Sequence, residues 1–313
     1  MKINLKSVLL LLIASGIWGF AFVAQGIAAE TLSSFTITGV RSLIGFVFLF
    51  LISTVKSLIN KKEVFEKDKK KQKTLIIASI ICGVCFAIAY NFQQFGIAIY
   101  PDNVAISGRA GFLTGLYVLF VPIIGFMFFK KKVTGNVIIS LVMAIIGLYL
   151  LCFSNGLTNV YLGDLVVLIC GIFFALQIIY VDKYVSDIDS LKFGAYQFLI
   201  CGILSLILAF IFEDVVLKDI LKAQLPLIYL GVFSCAVAGV LQIRAQKISN
   251  NPTVDAIVMS FESVFAVIGG FLIQDQVPLI NEIVGCVIMF FAIILSQVAF
   301  TFKKKNITKN LGE

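Results

Sequence analysis

Long apolar runs separated by short polar segments dominate the sequence. Charge-free stretches recur along its whole length, for example between Lys6 and Glu30 and between Lys132 and Asp164. Each can form a helix of about 20 residues, the length that crosses a hydrocarbon core of about 30 Å. Three less uniform segments also fit, so the pattern predicts ten transmembrane helices. Their expected bounds are 8–28, 35–55, 75–98, 104–129, 136–153, 164–181, 193–212, 225–243, 253–274 and 281–302.

The composition supports this interpretation and excludes several other classes. Hydrophobic residues make up 60% and charged residues 13% of the 313 residues, whereas a soluble domain has about a quarter charged residues. We therefore expect an all-α polytopic membrane protein. Cys82 and Cys85 form a CxxC pair, but it lies inside a predicted helix, and the sequence contains no histidine. Buried thiols behave as small hydrophobic groups, so we predict neither a metal site nor a cofactor.

Basic residues are unevenly distributed between the predicted loops. If the N-terminus is cytoplasmic, 21 of the 25 lysines and arginines fall inside, Lys218 and Lys222 fall outside, and Arg41 and Arg109 lie in the membrane. This bias is the positive-inside rule, and it predicts a multi-pass protein of a bacterial cytoplasmic membrane with both termini in the cytoplasm. The basic run at 59–73 is then a cytoplasmic loop near anionic lipid headgroups, and no nucleic-acid partner is expected.

Weak internal similarity relates the two halves of the chain. A shift of 151 residues places 90–106 over 241–257, and a shift of 155 residues places 15–21 over 170–176. Since each half would contain five helices, an odd number, the halves would have opposite orientations, as in the inverted repeats of secondary transporters. The expected halves are 1–155 and 156–313.

Four features together resemble the EamA-type transporters of the drug/metabolite transporter superfamily. They are the Ile-Trp-Gly-Phe segment at 17–20, an arginine in the second span, AGFLTGLYVLFVPIIG at 110–125 before a basic turn, and MSFESVFAVIGGFLIQDQVPL at 259–279. The resemblance covers nearly the whole chain. It implies two inverted five-helix repeats around a central cavity lined by spans 1, 3, 4, 6, 8 and 9, with spans 5 and 10 at the periphery. In one departure, Ser263 follows Glu262 where the family often has proline.

Two intramembrane charges are the main functional candidates. At a rise of about 1.5 Å per residue, Arg109 would lie about 9 Å from the outer face and Glu262 about 13 Å from the inner face. If spans 4 and 9 face one cavity, as the resemblance implies, Glu262 can offset the charge of Arg109. Alternatively, Arg109 extends to the outer headgroups. For Glu262, structural pairing and proton coupling both remain open, because intramembrane carboxylates serve either role.

Polar and aromatic side chains on the same spans complete the candidate substrate-binding set. Tyr90 and Gln94 share a helix face, and Trp18 lies near mid-depth instead of at an interface. The alternative is structural: amides tie membrane helices together, and aromatic rings fill space. The full set of substrate-binding or coupling candidates is Arg109, Glu262, Trp18, Tyr90, Asn91, Gln94, Phe173, Gln177 and Gln242.

The predicted function is secondary transport of a small metabolite by alternating access, with possible proton coupling. The sequence has no nucleotide-binding loop, and it lacks the histidines or metal cluster that a lipid-modifying membrane enzyme would ordinarily need, so we expect no enzymatic activity. Amino-acid-like, nucleoside-like and cationic drug-like substrates all fit the candidate residues. An alternative is a non-transporting or lipid-translocating subunit that acts with partners.

Overall fold

The computed structural model describes residues 4–61, 66, 68–101, 106–130, 133–152, 161–274 and 280–297. These residues are mostly helical, and none of them lies in a β-strand. We number ten helical stretches in chain order, two of which are interrupted. They are α1 (Leu5–Ala29), α2 (Ser34–Ile59), α3 (Lys69–Ala98), α4 (Ile106–Gly115 and Tyr117–Phe129), α5 (Gly135–Cys152), α6 (Leu162–Tyr184), α7 (Ser190–Phe212), α8 (Gln224–Ser249), α9 (Pro252–Met259 and Glu262–Gln274) and α10 (Ile280–Gln297).

Eight of these stretches are long and apolar enough to cross a membrane. The other two, α5 and α10, are shorter apolar helices within the described part of the chain. The prediction of an all-α polytopic membrane protein is therefore confirmed, whereas the count of ten spans stays a prediction. The predicted span residues 104, 105, 153 and 298–302 lie outside the described residues.

Two helices extend by six residues beyond one predicted end, further than the others. Helix α3 begins at Lys69, six residues before the predicted start, because the Asp68 carboxylate accepts hydrogen bonds from the backbone N–H groups of Lys70 and Lys71. These bonds lower the pKa of Asp68. Helix α8 continues past its predicted end to Ser249 and carries Arg244 on its exposed surface. Apolar length therefore marks where a helix must cross the membrane but not where its polar extension ends.

The helices pack in a small number of extensive pairs. Helix α2 packs on α7, α5 on α10, and α3 on both α6 and α7. Helix α1 packs on α8 and α9, and α4 packs on α6. Nine of the described glycines lie where a methyl group would meet a neighbouring segment at under 3 Å, so adjacent backbones approach closely. Four of them are Gly39 and Gly45 on α2, Gly83 on α3 and Gly147 on α5.

Polar contacts between helix termini define the two ends of the bundle. At one end, the Glu213 carboxylate accepts hydrogen bonds from the backbone N–H groups of Phe35 and Thr36 at the start of α2, each at 2.8 Å. At the other, the Ser7 hydroxyl donates to the Ala245 carbonyl at 3.0 Å, and Lys247 Nζ donates to the Ile188 carbonyl at 3.1 Å. We call them the Glu213 end and the Lys247 end.

Candidate functional site: the central cavity

A cavity lies between α1, α2, α3, α4, α6, α8 and α9, and its lining is partly polar and partly aromatic. Its volume of about 50 Å³ holds only a few water molecules, since one water needs roughly 10–15 Å³ on this scale. A larger occupant would therefore have to move side chains. The lining residues are Trp18, Ala21, Phe22, Gln25, Arg41, Phe86, Tyr90, Gln93, Thr114, Tyr117, Phe174, Gln177, Ile178, Ser234, Gln242, Met259 and Glu262.

Several polar groups of this lining are buried without a hydrogen-bond partner among the described residues. They are Gln25 Oε1, Arg41 Nε and Nη2, Tyr117 Oη, Gln177 Nε2 and Glu262 Oε1. Buried polar atoms are normally satisfied, and each one that is not costs about 1–3 kcal/mol. Six of the fourteen unpartnered buried side-chain atoms of the described residues border this one cavity, which indicates that it receives water or a polar ligand that supplies the missing bonds.

Arg41 and an aromatic cluster form one wall of the cavity. The Arg41 guanidinium lies over the Tyr90 ring, with its carbon 4.3 Å from the ring centroid. Tyr90 stacks on Phe86 at 4.9 Å and meets Phe174 edge-on at 5.4 Å. The negative face of an aromatic ring attracts a cation, so the cluster partly compensates a charge that is only 1% exposed.

Glu262 stands on a different wall, where α9 is interrupted. Helix α9 breaks at Ser260 and Phe261, and Glu262 is the first residue of its second segment. The carboxyl is 4% exposed, lies beside the Tyr117 hydroxyl, and forms no ion pair with any described residue. Tyr117 likewise begins the second segment of α4. Two helix interruptions therefore bring a carboxyl and a phenol together at the cavity.

A third helix is also irregular beside the cavity. Residues Tyr229–Ala238 of α8 form a π-helical stretch with i to i+5 hydrogen bonds. Within it, the Ser234 carbonyl accepts a hydrogen bond from Trp18 Nε1 at 3.0 Å. Wide helical turns of this kind are rare and occur frequently at functional sites. The hydrogen bond to Ser234 also holds Trp18, the only tryptophan of the chain, at the cavity.

Five of the predicted site residues line this cavity. Gln242 Nε2 donates to Gln177 Oε1 at 3.0 Å, which joins α8 to α6 across the lining. Trp18, Tyr90 and Glu262 occupy the positions described above. The structure brings these five side chains together, and their role in binding or coupling stays a prediction. They are Trp18, Tyr90, Gln177, Gln242 and Glu262.

The predicted pair between Arg109 and Glu262 is wrong. Arg109 instead forms a bidentate ion pair with Asp164 at the start of α6, with Nε–Oδ1 at 2.6 Å and Nη2–Oδ2 at 2.5 Å. The Tyr100 hydroxyl donates to the same carboxylate at 2.7 Å, and the Tyr161 ring lies 4.8 Å from the guanidinium carbon. Burial and this hydrogen bond raise the pKa of Tyr100, so it remains a neutral donor. The cluster lies at the Glu213 end and outside the cavity lining.

Three other predicted residues lie outside the lining as well. Asn91 Nδ2 donates to the Ser205 hydroxyl of α7 at 2.8 Å, and Gln94 Nε2 donates to the Gln25 carbonyl of α1 at 3.3 Å. Phe173 packs at the edge of the largest hydrophobic cluster. The two amides therefore tie helices together and Phe173 fills space between them, which is the structural alternative given for these residues in the sequence analysis.

Neighbouring residues take the predicted places. Phe174 lines the cavity instead of Phe173, and Gln93 instead of Gln94, because one residue turns a helix face by about 100°. Gln93 Nε2 donates to the Thr114 hydroxyl at 3.1 Å. The sequence places Arg41 in the membrane, and an intramembrane charge is a signal for a functional site. Arg41 is nevertheless absent from the predicted site residues. In the described part of the chain, no cluster of three metal-ligating side chains occurs.

Comparison with known proteins identifies the family. The sequence model of the EamA-like transporter family matches residues 5–153 and again residues 161–297. The chain belongs to the EamA-like transporter family. The family assignment therefore supports a membrane transporter.

Individual relatives agree with this family assignment. The chain is 24% identical to the uncharacterized transporter YoaV of Bacillus subtilis (strain 168) over 93% of its own length and 96% of that protein. An uncharacterized transporter of Archaeoglobus fulgidus is 24% identical over 89% of the chain and 82% of that protein. One crystal structure of a protein matches with a TM-score of 0.73 and 13% identity, covering 93% of this chain and 98% of that one. At this identity the structural match shows a shared fold alone.

Proposed function

We propose that this EamA-like protein moves a small metabolite across the cytoplasmic membrane by alternating access through the central cavity. The observation that carries the proposal is the group of unpartnered polar atoms on Gln25, Arg41, Tyr117, Gln177 and Glu262 around one intramembrane cavity. Polar groups at membrane depth cost free energy, and proteins retain them mainly where they serve a substrate or ion pathway. Interrupted helices beside a midplane site are also typical of secondary transporters.

Two inverted five-helix repeats, 1–155 and 156–313, form part of this proposal, together with ten spans. The packing supports them. When each helix in one half is exchanged for the helix five positions along the chain, α3–α6 becomes α8–α1, α3–α7 becomes α8–α2, and α4–α6 becomes α9–α1, all of which are observed pairs. The pairs α2–α7 and α5–α10 map onto themselves. The family match, which occurs once in each half, agrees.

Flux measurements with the purified chain alone test the transport function. Proteoliposomes with an imposed pH gradient would be supplied with a radiolabelled amino acid, a nucleoside or a cationic dye, one from each class that the sequence leaves open. We expect accumulation of at least one compound above protein-free vesicles. An absence of flux for all three classes would contradict the proposal and favour a subunit that acts with partners.

The proposed orientation places the Lys247 end in the cytoplasm, in agreement with the positive-inside rule. Lys69 begins α3 at the Lys247 end, and Lys218 follows Glu213 in the segment between α7 and α8 at the opposite end; both are exposed. In a background without native cysteines, each would be replaced by cysteine and intact cells labelled with an impermeant thiol reagent. We expect labelling at position 218 but not at position 69. The reverse pattern would overturn the orientation.

Glu262 is the proposed site of proton coupling. Its buried carboxyl has one unpartnered oxygen and no ion pair among the described residues, so a proton can neutralise it when water leaves the cavity. We expect Glu262→Gln, a neutral isostere, to fold normally and to exchange substrate, but to lose accumulation driven by a pH gradient. Glu30→Gln is the matched control because Glu30 is an exposed carboxylate. Unchanged accumulation in Glu262→Gln would rule out the coupling role.

A further inference from the structure

We propose that Arg41 binds the carboxylate of the transported compound, so that the substrates of this protein are small carboxylates. This inference rests on the proposed transport function and narrows its substrate class. It assigns specificity to a residue on α2, a helix that neither the sequence nor the family resemblance places at the cavity.

The guanidinium of Arg41 is buried without an anion. Arg41 is 1% exposed, and its side chain forms no hydrogen bond or ion pair with any residue that the structure describes, so Nε and Nη2 remain unpartnered. A buried unpaired charge is strongly destabilising, and the Tyr90 ring offsets only part of this cost. An anion that enters the cavity would therefore gain a strong and unoccupied partner.

The geometry of the site favours a planar anion. The Tyr90 ring lies 4.3 Å from the guanidinium carbon but supplies no hydrogen-bond acceptor to Nε and Nη2, which remain available as donors. A guanidinium edge forms two parallel hydrogen bonds with a carboxylate. Trp18, Phe86 and Phe174 line the same cavity, so the apolar part of a small carboxylate can lie against aromatic rings.

Close backbone packing fixes the position of Arg41. A methyl group added at Gly231 of α8 would lie 2.9 Å from the Arg41 carbonyl oxygen and 2.5 Å from a side-chain carbon of Ile44. One added at Gly45 would lie 2.8 Å from Cys235 Cβ. Helix α2 therefore cannot shift toward α8, so the backbone that carries Arg41 is fixed before a substrate arrives. A preorganised site loses less entropy on binding.

Of the three substrate classes that the sequence leaves open, the amino-acid-like one carries an anion for Arg41. Arg41 and Glu262 are the two charged side chains of the described lining. A cationic drug could pair with Glu262 but would leave Arg41 unpaired, and a nucleoside carries no anion for Arg41. Simple monocarboxylates and zwitterionic amino acids share the carboxylate. They differ in the ammonium group, for which Glu262 is the available partner.

The only tryptophan of the chain gives a direct measure of binding. Trp18 lines the cavity, so a change in its fluorescence in purified protein in nanodiscs measures ligand binding in the cavity. The variant Trp18→Phe gives the background fluorescence. The ligands are propionate, 3-phenylpropionate, L-alanine and L-phenylalanine, each compared with propionamide or 3-phenylpropanamide. The variants are Arg41→Gln, Arg41→Lys and, as the matched control, Arg244→Gln, which removes the same charge from an exposed position.

We expect the carboxylates to bind at least about tenfold more tightly than the amides, since hydrogen bonds to charged groups are worth about 1.5–3 kcal/mol. Arg41→Gln should remove this preference, Arg41→Lys should retain part of it, and Arg244→Gln should leave it unchanged. If Glu262→Gln binds the amino acids more weakly than the wild-type protein does and binds the monocarboxylates equally well, the zwitterions are the preferred source of the carboxylate. If its affinity for the amino acids equals that of the wild-type protein, the monocarboxylates are the preferred source.

Equal binding of acids and amides by the wild-type protein would overturn the assignment, even if Arg41→Gln failed to fold. So would a preference for carboxylates that persists in Arg41→Gln, or binding of none of the four carboxylates. The two proposals fail separately. Carboxylate binding without flux would count against transport, whereas flux of a nucleoside or a cation without carboxylate binding would count against the role of Arg41.

Discussion

The Gly19→Ala variant is expected to lose about 3 kcal/mol of stability and most of its transport activity. A methyl group at this position of α1 would lie 2.3 Å from Phe265 Cβ and 2.7 Å from the Glu262 carbonyl oxygen of α9. Because backbone atoms are among these neighbours, the clash cannot be relieved by a change of rotamer, and overpacking of this kind costs about 1–3 kcal/mol or more. Separation of α1 from α9 would also displace Glu262 from the cavity.

Gly26→Ala supplies the control on the same helix. No atom lies within 4 Å of a methyl group added there, and alanine is favoured over glycine within a helix by about 0.5–1 kcal/mol. We expect this variant to unfold at the wild-type temperature or slightly above it. The measurement is thermal unfolding of both purified variants in one detergent. Equal unfolding temperatures for the two would show that the close approach of α1 to α9 does not limit stability.

The ion pair between Arg109 and Asp164 should show strong coupling in a double-mutant cycle. Arg109→Gln or Asp164→Asn alone leaves a charge without its bidentate partner, and we expect each to cost roughly 2–4 kcal/mol, slightly less than a fully buried pair because the side chains are 15% and 9% exposed. The double variant should recover a large part of the loss. Thermal unfolding of the four proteins measures the coupling.

A second ion pair in the same chain provides the comparison. Lys222 Nζ lies 2.6 Å from Asp219 Oδ1, but these side chains are 55% and 32% exposed. Exposed pairs contribute about 0.2–1 kcal/mol, so the cycle with Lys222→Gln and Asp219→Asn should give a small coupling energy. Additive losses at Arg109 and Asp164 would mean that the two residues stabilise the bundle independently.

Helix positions could be predicted from the sequence because membrane thickness imposes the length of each apolar run. The predicted spans 35–55 and 193–212 fall within the observed α2 and α7. The sequence could not show the interruptions at Leu116 and at Ser260, because a break inside an apolar run leaves its hydrophobicity unchanged. The same holds for the π-helical stretch of α8.

Depth along a helix could be estimated, but rotation about the helix axis could not. Arg109 and Glu262 are predicted to share one cavity, yet Arg109 turns toward α6, where Asp164 is predicted only as the first residue of a span. The exchange of Phe173 for Phe174 has the same origin. Arg41 is buried because α7 and α8 surround α2 and the cavity lies beside it. A single sequence does not specify which helices surround α2.

The contact between Glu213 and the start of α2 sets the earliest time at which α2 can reach its final packing during synthesis. Residues 35 and 213 are 178 positions apart, an interval of roughly 9–36 s at about 5–20 residues per second. Until then, the first N–H groups of α2 lack this carboxylate, and α2 lacks α7, with which it forms an extensive pair. The first half of the chain therefore emerges from the ribosome without its final packing partners, and the cavity forms only as the second half is inserted.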